Sequence, residues 1–178
     1  MKNTLLILVI LLASPSTFAE THKAHVHGLA KVALAVETEN TANIDLDVAG
    51  DSIMGFEHPA KSEKDKKTMA DSFQKLKSDA ASVIRFDPAL KCVVTVKEVG
   101  LEKAEPKEVN SKEAAHGEHS DVNASYSVKC EKSLSGSKVQ VGLIALFPKV
   151  KSATLEILTT KGQTQETVKS EHYSVTIP

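Results

Sequence analysis

The sequence predicts an α+β domain, antiparallel and β-rich, with about six to eight strands and one main amphipathic helix. Three observations carry that expectation. Apolar and polar residues alternate along several short stretches, as in strands with one buried face. Between residues 60 and 84 the apolar spacing changes to three and four, the period of a helix. Two cysteines, Cys92 and Cys130, sit in strand-like segments on either side of the most polar part of the chain.

The chain opens on a leader. Lys2 precedes an apolar run from Leu5 to Ala13, Pro15 breaks it, and Thr17-Phe18-Ala19 places small residues before a cleavage point. A signal peptide over residues 1–19 is expected, leaving a domain of residues 20–178. The apolar run is shorter than the roughly 20 residues of a membrane-spanning helix, and no later segment approaches that length. The mature chain is therefore expected to be exported and not inserted in a membrane. With 22 basic and 23 acidic residues the net charge is −1, which offers no electrostatic footprint for nucleic acid. Aromatic residues make up 4% and tryptophan is absent, which argues against a carbohydrate platform or a base-stacking groove.

Taken in order, Ala30, Val32, Leu34 and Val36 share one parity, with Val26 on the same side. After an Asn40-Thr41-Ala42-Asn43 turn, Ile44, Leu46 and Val48 repeat it, while Asp45 and Asp47 face outward. The pair reads as an antiparallel meander with one face buried. Met69, Phe73, Leu76, Ala80 and Val83 then form one helical stripe, with Ser62 and Asp65 as an N-terminal capping pair. Lys61, Lys64, Lys66, Lys67 and Lys75 lie mainly off that stripe and read as a solvated face. Asp87-Pro88 ends the helical region. Strands follow at 92–99, 126–130, 139–145, 154–159 and 172–177, with a short crossover or helical turn at Phe147-Pro148 and a turn at Lys161-Gly162-Gln163. Residues 98–123, rich in Lys, Glu, Ser and Asn and poor in core formers, read as a flexible polar insert.

An even number of cysteines in an exported chain reads as a disulfide, Cys92 to Cys130. A thiolate metal site is the alternative, although neither cysteine has a histidine close in sequence.

Candidate chemistry lies with the histidines. His22, His25 and His27 follow directly on the leader, and imidazole is the commonest protein metal ligand. On an extended chain His25 and His27 project from one side, about 6.5–7 Å apart, close enough to converge on one ion. His22 needs a bend to join them. The plain alternative is a solvated N-terminus that binds metal weakly. Glu57 and His58, in Gly55-Phe56-Glu57-His58-Pro59 between the second strand and the helix, offer a further ligand or a supporting partner; a lone loop histidine is more often a surface residue. His116, Glu118, His119 and Asp121 form a looser donor cluster in the insert, either a transient collecting site or an ordinary polar loop. His172 reads as structural or exposed. There is no HExxH, no GxSxG and no phosphate-binding glycine loop, so no enzymatic activity is expected.

His25-Val26-His27-Gly28 behind a signal peptide, Gly55-Phe56-Glu57-His58-Pro59, the insert between two cysteine-bearing strands, Leu146-Phe147-Pro148 and Lys161-Gly162-Gln163 together resemble the ZrgA-type periplasmic zinc-binding proteins. The similarity runs over essentially the whole mature chain. It implies Zn(II) scavenging in the periplasm of Gram-negative bacteria, in association with periplasmic or inner-membrane components of an ABC-type zinc uptake system. Carried over residue by residue, it gives His25 and His27 as the leading ligands, His22 next, and Glu57 and His58 as supporting ones. The departure is in the insert. The long tract dense in His, Asp and Glu found in that family is here reduced to His116, Glu118, His119 and Asp121, which weighs against multi-ion buffering. The rival reading is a non-catalytic envelope structural or adaptor module whose histidines are incidental. Imidazole suits copper and nickel as well as zinc, so the sequence leaves the metal open.

Overall fold

The computed structural model describes residues 27–102 and 120–178. The expected signal peptide, His22, His25, His116, Glu118 and His119 lie outside the described residues.

Among the described residues, nine strands and four α-helical segments follow one another as β1 (Leu29–Val36), β2 (Thr41–Ala49), α1 (Gly50–Ile53), α2 (Glu63–Ser78), α3 (Ala80–Val83), β3 (Ile84–Phe86), β4 (Val93–Leu101), β5 (Asp121–Lys129), β6 (Lys138–Val141), α4 (Leu143–Leu146), β7 (Ser152–Thr159), β8 (Gly162–Val168) and β9 (Ser174–Thr176). Six strands form one sheet in the order β4-β5-β2-β1-β7-β8, and three form a second in the order β3-β6-β9. All pairings are antiparallel except β1 with β7, which is parallel. The α+β class holds. The parallel pair is an addition to the expected antiparallel pattern, made because β7 returns to the sheet from the far layer instead of from a hairpin.

Alternation fixes the inner face. Ala30, Val32 and Leu34 of β1, Ile44, Leu46 and Val48 of β2, Val122, Ala124, Tyr126 and Val128 of β5, and Ala153, Leu155 and Ile157 of β7 are all buried. Each fully buried large aliphatic among them contributes about 1.5–3 kcal/mol. They share one core with Leu76 of α2, Ala80 and Val83 of α3, Ile84, Val139, Val141 and Val175 of the small sheet, and Leu143 of α4. The Tyr126 hydroxyl donates to the Leu76 carbonyl at 3.3 Å, tying α2 to the sheet, and burial pushes that phenol far above its ordinary pKa. On the opposite face Lys31 reaches Asp47 at 3.0 Å, so the outward aspartates sit where the alternation puts them.

The helical stripe is found as expected, but the single helix over 60–84 is two. Ser62 caps α2 by accepting from the Asp65 amide, and the chain leaves helical geometry at Asp79 before the short turn of α3. The strand expected over 139–145 stops at Val141; the Gly142 amide donates to the Val83 carbonyl, and the chain turns into α4. The expected insert is shorter at both ends. Leu101 pairs with Val122, Gly100 with Asn123, and the Glu102 amide donates to the Asp121 carbonyl at 2.8 Å, so 98–101 and 121–123 belong to strands. Val122 is fully buried, which gives this polar stretch the anchor its composition hides. Cys92 and Cys130 form a disulfide at the open end of the same hairpin, beside the Val93–Lys129 pair. No helix among the described residues is long and apolar enough to cross a membrane.

Candidate metal centre

The register of β1 and β2 builds the centre. Ala30 pairs with Val48, and continuing that antiparallel register outward by three residues sets His27 opposite Asp51. β1 does not extend back to the histidines. His27 and Gly28 form a turn, with Gly28 at φ +79°, so the extended His25–His27 arrangement does not continue into β1. Glycine is required there twice over: the backbone is left-handed, and an added Cβ would lie 3.2 Å from the Lys149 carbonyl oxygen and 3.2 Å from Lys151 Cγ. The Gly28 carbonyl accepts from the amides of Lys151 and Ser152, which locks the turn against the start of β7.

Across from it, β2 runs straight into α1. Gly50 makes the junction close: its amide donates to the Ser120 carbonyl at 2.8 Å, and a Cβ would sit 2.4 Å from that oxygen. After one helical turn, in which the Gly55 amide donates to the Asp51 carbonyl, the chain doubles back through Phe56 and Glu57. Phe56 packs on the core and stacks on His58, with ring centroids 4.8 Å apart.

These turns bring three donors together. His27 Nδ1 lies 3.1 Å from Asp51 Oδ1 and 3.3 Å from Glu57 Oε1. One ligand atom from each of His27, Asp51 and Glu57 falls within 4.8 Å of the others, and among the described residues this is the one such group of three. Side-chain exposure falls from 64% at His27 to 29% at Asp51 and 15% at Glu57, so the group opens to solvent on its imidazole side. Donors 2.0–2.1 Å from a tetrahedral Zn²⁺ stand about 3.3 Å apart, close to the separations of His27 Nδ1 from Asp51 and from Glu57. One imidazole nitrogen and two carboxylate oxygens form a set that zinc accepts.

Hydrogen bonding and charge hold His27 and Asp51 together. His27 has a raised pKa, through its hydrogen bond to Asp51, then the charge of Asp51, then that of Glu57. Burial alone would push Asp51 up, but hydrogen bonds from His27 and Ser52 and the charges of His27 and Lys149 outweigh it and hold the carboxyl below its ordinary value.

The structure thus joins two residues the sequence singles out, His27 and Glu57, with one it does not, Asp51. His58 stays apart: its ring stacks on Phe56 and its Nδ1 lies 3.1 Å from the Pro59 carbonyl. His172 is exposed near the C-terminus. Asp121, grouped by sequence with the insert donors, is buried at the start of β5. The only sequence signal for Asp51 is numerical: it stands as far beyond Val48 as His27 stands before Ala30, although neither residue belongs to the β1–β2 ladder.

A family model described as ZrgA family zinc uptake protein matches residues 24–177. The chain belongs to the ZrgA family. That match spans both sheets and the group at His27, and it makes zinc the ion against which the site is read. No match was found among curated proteins.

Proposed function

We propose that this ZrgA family member is an exported zinc carrier that binds one Zn²⁺ tightly at His27, Asp51 and Glu57, works in the periplasm, and passes the ion to an ABC-type uptake system. The observation that carries the reading is the convergence of one imidazole and two carboxylates at zinc-ligand spacing. His25, two residues before His27 and so within about 7 Å of it along the chain, supplies the fourth ligand. His22 is the reserve for that position, His58 a lesser one, and His116 and His119 add weak capture at most. The exposed imidazole side suits a cargo that must leave again. The protein is a carrier and not an enzyme: the carboxylate placed to activate a zinc-bound water, Glu57, is itself spent as a ligand.

The test is competitive titration of the oxidised mature protein with a chromophoric chelator at neutral pH. One saturable tight site is expected, weakened by more than about 100-fold in His27→Ala and in Asp51→Asn, since even outer-shell changes cost 10–100-fold. Absence of saturable binding would leave an envelope adaptor module. A zinc complex with the ion on His27 Nε2 and both carboxylates outside its coordination sphere would overturn the ligand set.

A further inference from the structure

The geometry points to Ser52 as the residue that positions the metal centre, an inference that rests on the reading of His27, Asp51 and Glu57 as zinc ligands. Ser52 is 3% exposed, and it and Asp121 are the two buried polar residues among those described. Its hydroxyl accepts from the Gly28 amide at 3.0 Å and lies 3.1 Å from Asp51 Oδ1. An amide can only donate and an ionised carboxylate can only accept, so the single hydroxyl proton is committed to Asp51. The same Asp51 oxygen faces His27 Nδ1. A closed circuit results: the Gly28 amide to Ser52, Ser52 to Asp51, Asp51 to the His27 imidazole, and His27 back to Gly28 through one peptide bond.

That circuit does what neither ligand can do alone. His27 is exposed and stands on a turn, and Asp51 stands on a helix of a single turn. Ser52 ties the backbone behind one ligand to the carboxylate of the other, so the separation of the pair is set before an ion arrives. It also holds Asp51 Oδ1 toward the imidazole. The carboxylate then offers one oxygen to the ion, as a small tetrahedral ion prefers, in place of the two-oxygen grip that suits larger cations. Lys149 completes the surroundings: it bears on Asp51 through its charge, and its Nζ lies 3.5 Å from the Gly55 carbonyl.

The experiment compares the full mature chain with Ser52→Ala, Ser52→Thr and, as a control far from the site that also loses one buried hydrogen bond, Tyr126→Phe. Zinc affinity is read by chelator competition, coordination by the visible spectrum of the Co²⁺ form, and folding by thermal melting. Ser52→Ala is expected to bind zinc about 10- to 100-fold more weakly, with a weaker Co²⁺ visible band as Asp51 swings to two-oxygen binding. Ser52→Thr keeps the hydroxyl and is expected to restore both, and Tyr126→Phe to leave both unchanged. The inference is overturned if Ser52→Ala keeps wild-type affinity and spectrum, or if Tyr126→Phe loses as much. Should Ser52→Ala fail to fold, the wild-type Gly28 amide resonance decides: it should shift on zinc addition, and a stationary resonance overturns the circuit. Wild-type protein that binds neither metal fails the carrier reading itself, a result distinct from all of these.

Discussion

With His27 as a zinc ligand, as proposed above, a proton and a zinc ion compete for the same nitrogen. Because Asp51 and Glu57 raise the imidazole pKa, zinc affinity should begin to fall on acidification at a higher pH than it would with an unperturbed histidine. NMR titration of the zinc-free protein checks the cause: Asp51→Asn should move the His27 midpoint back toward 6.5. The same shift has an opposite sign for the zinc-free fold. A raised histidine pKa contributes stability that is complete below 6.5 and is lost as pH rises through the raised value. The lowered Asp51 pKa contributes stability present above 3.8 and lost as pH falls through the lowered value. Zinc-free protein should therefore melt higher in mildly acidic than in alkaline buffer, and His27→Ala should flatten that difference. Gly28→Ala should cost about 1–3 kcal/mol from left-handed backbone strain, and should weaken zinc binding with it. At this scale the sequence disclosed His27 and Glu57 because histidine and a turn glutamate are conspicuous. Asp51 was hidden because an aspartate at the end of an alternating strand looks like any solvated residue. His58 drew notice for its chemistry, and its stacking on Phe56 and its contact with the Pro59 carbonyl keep it outside the group of three.

The strands and helix with the strongest periodicity were the legible elements. β1, β2 and α2 carry apolar residues at regular spacing, and their buried faces are those that spacing implies. β8 was not legible because its Gly-Gln-Thr-Gln-Glu-Thr-Val run buries only Val168 at the sheet edge. β3 and α1 are three and four residues long, too short to show a period. The cap of α2 is open to a direct check: Ser62→Ala should destabilise the protein by about 1 kcal/mol in chemical denaturation. The β4–β5 hairpin is fastened more strongly. Its disulfide spans a sequence separation of 38 residues, and in the chain-entropy model closing a loop of that length is worth about 4 kcal/mol. A Cys92→Ser/Cys130→Ser variant should melt roughly 8–16 °C lower while keeping its zinc affinity, because the bridge and the metal centre lie at opposite ends of β5.

The whole molecule supplies the centre from three distant parts of the chain: the turn before β1, the segment from Asp51 to Glu57, and the start of β7 behind Gly28. Only the folded sheet unites them, so zinc should bind the native state far more tightly than the unfolded chain and raise its stability by up to about 2.7 kcal/mol at a hundredfold excess over Kd. Calorimetry should show that rise in wild type and not in Asp51→Asn. This non-local assembly is also why the site could not be read whole from spacing: the parallel β1–β7 pair that brings Lys149 and Lys151 against Gly28 has no local signature. The hairpin between Glu102 and Asp121 has a bearing on how such a chain changes over generations. Its two ends are already joined by backbone hydrogen bonding, so the intervening segment can lengthen or shrink at an entropic cost that grows only logarithmically. Splicing a short Asn-Gly turn in place of residues 103–119 should therefore leave the melting temperature and the zinc affinity of the protein unchanged.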